Sequence, residues 1–304
     1  MRILICSDGS AQADRAIRFS GMIAAKMQAD VTILAIAETS VGDEAVLKSM
    51  KNSQQAIVQL GLRAEIVIKA GEPVAEIVKH TEQSKYDLVV IGAVRKGRRG
   101  PCLMSAKAYN IIEAILPPVL VVIGDPAQLK QILICSGGER YIHDAVSVAG
   151  QMAKATGAAI TLFHVMAAPP PVYADLIDKE ENVTGVINSD SDLGRNLRRE
   201  REALEAIAVP AQVRLGHGLV PDEIFKEIAL AHYDMVVIGS SPVGGSLPSY
   251  IMGNVTREIV NQSRCPVLVV RSSAAPRRIG WSLKGLVSRL THSTAGRKEG
   301  SDSN

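Results

Sequence analysis

Tyr86-Asp87-Leu88-Val89-Val90-Ile91-Gly92 returns as Tyr233-Asp234-Met235-Val236-Val237-Ile238-Gly239, 147 positions on. Each copy sets an unbroken apolar run between a Tyr-Asp pair and a glycine. A strand that is apolar at every position is one covered on both sheet faces. Two further blocks repeat around it. Ile3-Leu4-Ile5-Cys6-Ser7 recurs as Ile132-Leu133-Ile134-Cys135-Ser136, at an offset of 129. Pro118-Val119-Leu120-Val121-Val122 recurs as Pro266-Val267-Leu268-Val269-Val270, at an offset of 148. The chain thus contains one unit twice. The change of offset places eighteen extra residues in the second copy, between about Met166 and Pro210, and one more after Gly239.

Strand runs near 2–7, 31–36, 64–69, 87–91 and 119–123 have counterparts near 131–136, 160–165, 211–215, 234–238 and 267–271. Between the first two runs, Ala13, Ala16, Ile17, Ala24 and Met27 mark one face of a helix. Ser10 is placed to cap it. The matching helix uses Ile142, Ala145, Val146, Ala149, Met152 and Ala153. Alternation of strand and helix predicts an α/β fold of two tandem doubly wound, Rossmann-like domains, each a five-stranded parallel sheet flanked by helices. The expected division is residues 1–125, residues 131–272 and a tail, 273–304. The insertion, with Pro169-Pro170-Pro171 and Asn188-Ser189-Asp190-Ser191-Asp192, reads as a loop followed by a charged helix around 195–207.

The last strands, Val119–Ile123 and Val267–Arg271, are flat and apolar, a liability if left unpaired. Antiparallel pairing of the two would bury both edges and make an intrachain pseudo-dimer. Further homodimerisation is left open.

A length of 304 residues suits two domains of about 150. Net charge is +3, with aromatics at 3%. Neither a strong cationic surface nor a stacking platform follows, so no nucleic-acid partner is expected. The excess charge sits in the tail, which is +4 from Ala274 onward. There Leu283, Leu286, Val287 and Leu290 recur at helical spacing near Trp281, as a frayed tail or as a short basic helix for a partner or membrane surface. No apolar run reaches membrane-spanning length, and the N-terminal one is too short for a signal peptide. Cys6, Cys102, Cys135 and Cys265 form no C-x-x-C pair, and the six histidines are scattered. This usage fits a reducing cytoplasm and predicts no metal site.

In a doubly wound sheet, ligands sit beyond the C-terminal strand ends at the switch point. There the first copy has Ser7-Asp8-Gly9-Ser10 and Gly92. With Gly71-Glu72-Pro73, the duplicated Tyr-Asp strands and Cys265-Pro266-Val267-Leu268-Val269-Val270, this order resembles the universal stress protein family over residues 1–124 and 131–272. The resemblance implies a stress-response protein. In its ATP-binding branch, an Asp ending strand one contacts the nucleoside. A loop after strand four, Gly, two residues, Gly, nine residues, Gly, then Ser or Thr, cradles the phosphates.

Both copies depart from that pattern. The first keeps Asp8 and Gly92, but Arg95 stands at the second glycine and Ser105-Ala106 at the loop's end. Gly97 lies in a cationic stretch with Arg95, Lys96, Arg98 and Arg99. The second keeps Gly239, Gly244, Gly245 and Gly253, with Asn254 in place of the hydroxyl and Thr256 two positions on. Pro242 replaces its second glycine, and Gly137 stands where Asp is expected. Asp8 is either a nucleoside ligand or a turn aspartate before a helix. The cationic loop is either an anion site or a solvated loop, since cations can replace glycine amides as phosphate ligands. It lacks the Gly-Lys-Ser/Thr ending of a P-loop. Cys102 within it reads as a surface thiol. His164, opposite Ala35 in the first copy, is assigned packing or a hydrogen bond.

No nucleophile, base and oxyanion group come together, so no enzyme is expected. Eroded sites point to a regulatory or scaffolding module acting on a protein partner, with weak or absent ATP binding. The alternatives are a sensor of ATP or another adenine nucleotide, and a slow nucleotide hydrolase.

Overall fold

The computed structural model describes residues 1–37, 44–93, 106–137, 142–168, 179–240 and 252–271. The first repeat runs β1 (Arg2–Ser7), α1 (Ala11–Met27), β2 (Asp30–Ala37), α2 (Glu44–Gln59), β3 (Ala64–Ala70), α3 (Pro73–Gln83), β4 (Leu88–Ala93), α4 (Ala106–Ala114) and β5 (Val119–Ile123). The second runs β6 (Gln131–Ser136), α5 (Ile142–Thr156), β7 (Ala159–Met166), α6 (Lys179–Asn188), α7 (Asp192–Ala206), β8 (Ala211–His217), α8 (Val220–Leu230), β9 (Met235–Ser240), α9 (Asn254–Gln262) and β10 (Val267–Arg271). All ten strands begin and end within two residues of the apolar runs that predict them.

The strands form one sheet in the order β3-β2-β1-β4-β5-β10-β9-β6-β7-β8. Pairing within each repeat is parallel. The seam between repeats is antiparallel, with Leu120 opposite Leu268 and Val121 opposite Val267. The predicted pseudo-dimer is therefore present. Its antiparallel seam has a second consequence. All strands of the first repeat point one way and all strands of the second the other, so the two C-terminal edges lie at opposite sides of the sheet.

Each sheet face carries one continuous apolar layer that crosses the seam. On one face Ile3, Ile5, Leu120 and Val122 pack with Ile134, Leu268 and Val270 beneath α1 and α5. On the other Leu4, Val119 and Val121 join Leu133, Val267 and Val269 beneath α3, α4, α8 and α9. The seam is held by burial as well as by strand pairing.

The Tyr-Asp pair has a structural meaning at the N-terminal edges. Asp87 Oδ2 accepts the Arg2 N–H at 2.8 Å. Asp234 Oδ2 accepts those of Lys130 and Gln131 at 2.7 and 2.9 Å. Each aspartate fixes the start of its repeat's first strand. The tyrosines are buried with different partners. Tyr86 Oη meets His80 Nε2 at 2.9 Å, whereas Tyr233 Oη donates to Glu227 Oε1 at 2.6 Å. Glu227 is buried and also pairs with Arg214 at 3.1 Å.

The insertion differs from expectation. The charged helix is present as α7, capped by Ser191 Oγ on the Gly194 N–H at 3.0 Å. Ahead of it stands a second helix, α6, where a loop is expected from the sequence. Its composition carries no clean apolar period, and tertiary packing on α7 and β8 stabilises it. A Cβ on Gly194 would lie 2.3 Å from the Val186 carbonyl oxygen, so glycine permits the two helices to turn so tightly.

Candidate functional site

The first switch point lies between β1 and β4. Ser7 is buried and its Oγ accepts the Gly9 N–H at 3.2 Å. Gly9 takes φ 78°, the left-handed region that favours glycine. Asp8 is exposed, and its Oδ1 accepts the Ser10 N–H at 3.0 Å. Ser10 in turn caps α1 through the Ala13 N–H at 3.2 Å, as its sequence position predicts. Asp8 thus serves an Asx-type turn at a helix start, where an anion is favoured in any case.

Gly92, on β4, faces the first turn of α1. A Cβ there would sit 2.9 Å from the Gln12 carbonyl oxygen. Close helix-to-strand packing accounts for this glycine without a phosphate. Gln12 itself is a residue that sequence reasoning misses. It is buried, its Nε2 donates to the carbonyls of Val122 and Gly124 at 3.0 and 3.2 Å, and its Oε1 accepts Arg15 Nη1 at 2.9 Å. It ties the end of β5 to α1 across the switch point. The only sequence signal is a long amide in the first helical turn, which by itself points to nothing. Arg95 and Gly97, with Cys102 and the rest of the cationic stretch, lie outside the described residues.

The second switch point lies between β6 and β9, on the opposite edge. Gly137 is exposed, and among the described residues no atom stands within 4 Å of the point a Cβ would occupy. Gly239 is on β9, paired with Val270 of β10. Gly244 and Gly245 lie outside the described residues. Gly253 is the N-cap of α9, at φ −61° and ψ 152°, a conformation open to any residue. Asn254 follows as the first helical residue and is exposed. Thr256 is buried on the core face of α9 with Ile259 and Val260.

His164 stands beside the end of β6, and its Nδ1–H donates to the Ser136 carbonyl at 2.8 Å. Burial lowers its pKa, partly offset by that hydrogen bond. The ring is neutral at pH 7 and holds strand ends together, in keeping with the hydrogen-bonding role assigned from sequence. Burial pushes the Cys6 thiol up to about 12 and raises Cys135 and Cys265 as well. These three are unreactive packing thiols.

The structure brings Asp8 and Gly92 to one edge, and Gly239, Gly253 and Asn254 to the other. Among the described residues no cluster of His, Cys, Asp or Glu is arranged to hold a metal. Among them too, no helix is long and apolar enough to cross a membrane.

Known proteins share this architecture. The curated Universal stress protein YxiE of Bacillus subtilis (strain 168) is 23% identical over 149 residues, covering 40% of this chain and 97% of that protein. A universal stress protein structure from Archaeoglobus fulgidus DSM 4304 superposes with a TM-score of 0.66 at 18% identity, covering 89% of this chain and 98% of that one. A putative universal stress protein from Pseudomonas aeruginosa UCBPP-PA14 gives 0.60 at 15%, covering 89% and 93%. At these identities the structures show a shared fold. The model of the universal stress protein family matches twice, over residues 1–122 and 128–271, one match to each repeat. With the duplication, the sheet order and both matches in agreement, this chain belongs to the universal stress protein family and carries two copies of its fold in tandem.

Proposed function

We propose that this protein is a non-catalytic regulatory and scaffolding module of the stress response, with degenerate nucleotide sites and weak or absent ATP binding. Its working parts are the repeats at 1–125 and 131–272 and the basic tail at 273–304, and its place is the cytoplasm. One observation carries the reading. The seam is antiparallel, so the edge holding Asp8 and the edge holding Gly239 and Gly253 are on opposite sides of the sheet. No single switch point collects both the acid and the glycine loop. Function then rests on surfaces that bind protein partners, including a second copy of the chain.

The test is to denature freshly purified protein with acid and identify any released nucleotide by chromatography and mass spectrometry. An empty protein that gives no calorimetric response to millimolar ATP supports the scaffold. Near-stoichiometric adenine nucleotide overturns it in favour of a sensor. Phosphate release from ATP that disappears in Asp8→Ala overturns it in favour of a slow hydrolase.

The sensor reading has one observation of its own. Among the described residues the second repeat keeps open space at Gly137 and an exposed start to α9 at Gly253, Asn254 and Val255, where backbone N–H groups favour an anion. In that reading an adenine nucleotide is held by the second repeat.

A further inference from the structure

The repeats meet through β5 and β10, through α1 and α5 on one face of the sheet, and on the other through the helices that precede the two strands, α4 and α9. Positions on those helices correspond at the 148-residue offset. Tyr109 on α4 matches Arg257 on α9, and Glu113 matches Asn261. Across the pseudo-twofold axis Tyr109 Oη donates to Asn261 Oδ1. The symmetry-related contact is an ion pair, Arg257 Nη2 to Glu113 Oε1 at 3.2 Å. On the axis the two matching residues face one another, with the Arg257 guanidinium 5.2 Å from the centroid of the Tyr109 ring. Glu113 Oε1 also accepts the Met252 N–H at 3.1 Å.

Equivalent positions have therefore diverged into complementary pairs. One holds a ring on one side and a cation on the other. The other holds a carboxylate and an amide. Pairing like with like loses every one of these contacts. Two second repeats would set Arg257 against Arg257 and offer each guanidinium the Asn261 amide in place of a carboxylate. Two first repeats would set Tyr109 against Tyr109 and place Glu113 opposite a phenol that can donate to it, without the cation. A cation over an aromatic face and a cation beside a carboxylate are attractive, while two facing guanidiniums repel. Discrimination needs that repulsive element as well as the attractive one.

We propose that the α4/α9 axis is a recognition surface whose partner is the unlike repeat, so that a first repeat accepts a second repeat and a second repeat rejects a copy of itself. Strand pairing and core burial supply adhesion that any two repeats could share. The axis residues decide which two repeats meet. In the intact chain they direct closure of the first repeat on its own second.

The test uses the full chain. One variant, Tyr109→Arg with Glu113→Asn, gives both sides the second repeat's residues. A second, Arg257→Tyr with Asn261→Glu, gives both sides the first repeat's. A third carries all four substitutions and exchanges the two sets. The second variant, whose phenols can donate to the facing carboxylates, is expected to lose less than the first, which should melt about 3 °C or more below the parent. The quadruple variant is expected to recover at least half of that loss, because complementarity is restored with the sides reversed. The first variant's deficit should also shrink in molar salt, where repulsion between guanidiniums is screened. Parental melting in the first variant would overturn the proposal. So would a quadruple variant no more stable than the first variant, since the contacts would then be packing tied to one side only.

Discussion

The carbonyl oxygen of Gln12 lies 2.9 Å from the point a Cβ on Gly92 would occupy. The approach leaves β4 no room for a side chain against the first turn of α1. Backbone stands on the far side, so the clash cannot be relieved by rotating a side chain.

Gly92→Ala is therefore expected to destabilise the protein by about 1–3 kcal/mol, the usual cost of overpacking a well-filled site. Gly253 is the contrast. It caps α9 without a side-chain hydrogen bond, in a conformation any residue adopts and with open space around it. Gly253→Ser is expected to add a capping hydroxyl and to stabilise by a few tenths of a kcal/mol. Urea denaturation of both variants checks the pair. Equal effects would mean that the two glycines are held by the same constraint.

The two Tyr-Asp motifs make unequal contributions. Asp234 accepts two N–H groups at the start of β6, while Asp87 is shown accepting one at the start of β1. Hydrogen bonds to a charged acceptor contribute more than neutral ones, though exposure reduces them. Asp234→Ala should cost about 2 kcal/mol and Asp87→Ala about 1 kcal/mol. Denaturation midpoints of the two variants check the order. Amide exchange should rise at the start of β6 in the first variant and at the start of β1 in the second.

These motifs also mark how far the sequence could be read. Every strand was legible because each is a short, continuous apolar block, and duplication confirmed each block by its copy. The seam was legible because Val119–Ile123 and Val267–Arg271 are too apolar to remain edges. Ser10 was legible as a cap from its place before the apolar stripe of α1. Helix α6 was not, because its stability comes from α7 and β8 rather than from a pattern of its own. Gln12 was not, because a buried amide is defined by what surrounds it. Gly92 shows the limit for the site: its motif position suggests phosphate approach, while its contacts show a packing role. The opposite placement of the two edges follows only once the seam's direction is known.

Stability should fall on both sides of neutrality, for named reasons. Burial raises the Cys6 thiol from 9.0 to about 12. Above pH 9 the unfolded chain ionises this thiol first, so its contribution is complete below pH 9 and is lost as pH rises toward 12. Cys6→Ala should flatten the alkaline limb of a plot of denaturation midpoint against pH. His164 acts with the opposite sign. Burial lowers its pKa below 6.5, so its contribution is complete above pH 6.5 and is lost as the unfolded chain gains a proton on acidification. His164→Gln should flatten the acid limb below about pH 6.5. Limbs unchanged by these substitutions would assign the pH dependence to other groups.

Affinity for ATP should respond to Gly137 and not to Asp8. The second edge keeps Gly239, Gly253 and the first turn of α9, and has Gly137 where the first has Asp8. Among the described residues nothing stands within 4 Å of a Cβ at Gly137, so an aspartate fits there without displacing any of them. Gly137→Asp would place a carboxylate on the edge that holds Gly239 and Gly253, for the ribose hydroxyls of a nucleotide. If the missing acid is what weakens the second repeat, calorimetry with ATP should show affinity rising at least about tenfold, the effect of one good charged hydrogen bond. Asp8→Ala should leave affinity unchanged, because that carboxylate is on the other side of the sheet and is engaged by the Ser10 N–H. Loss of binding in Asp8→Ala would place the nucleotide in the first repeat. No gain in Gly137→Asp would mean that the altered loop, rather than the absent acid, limits the second.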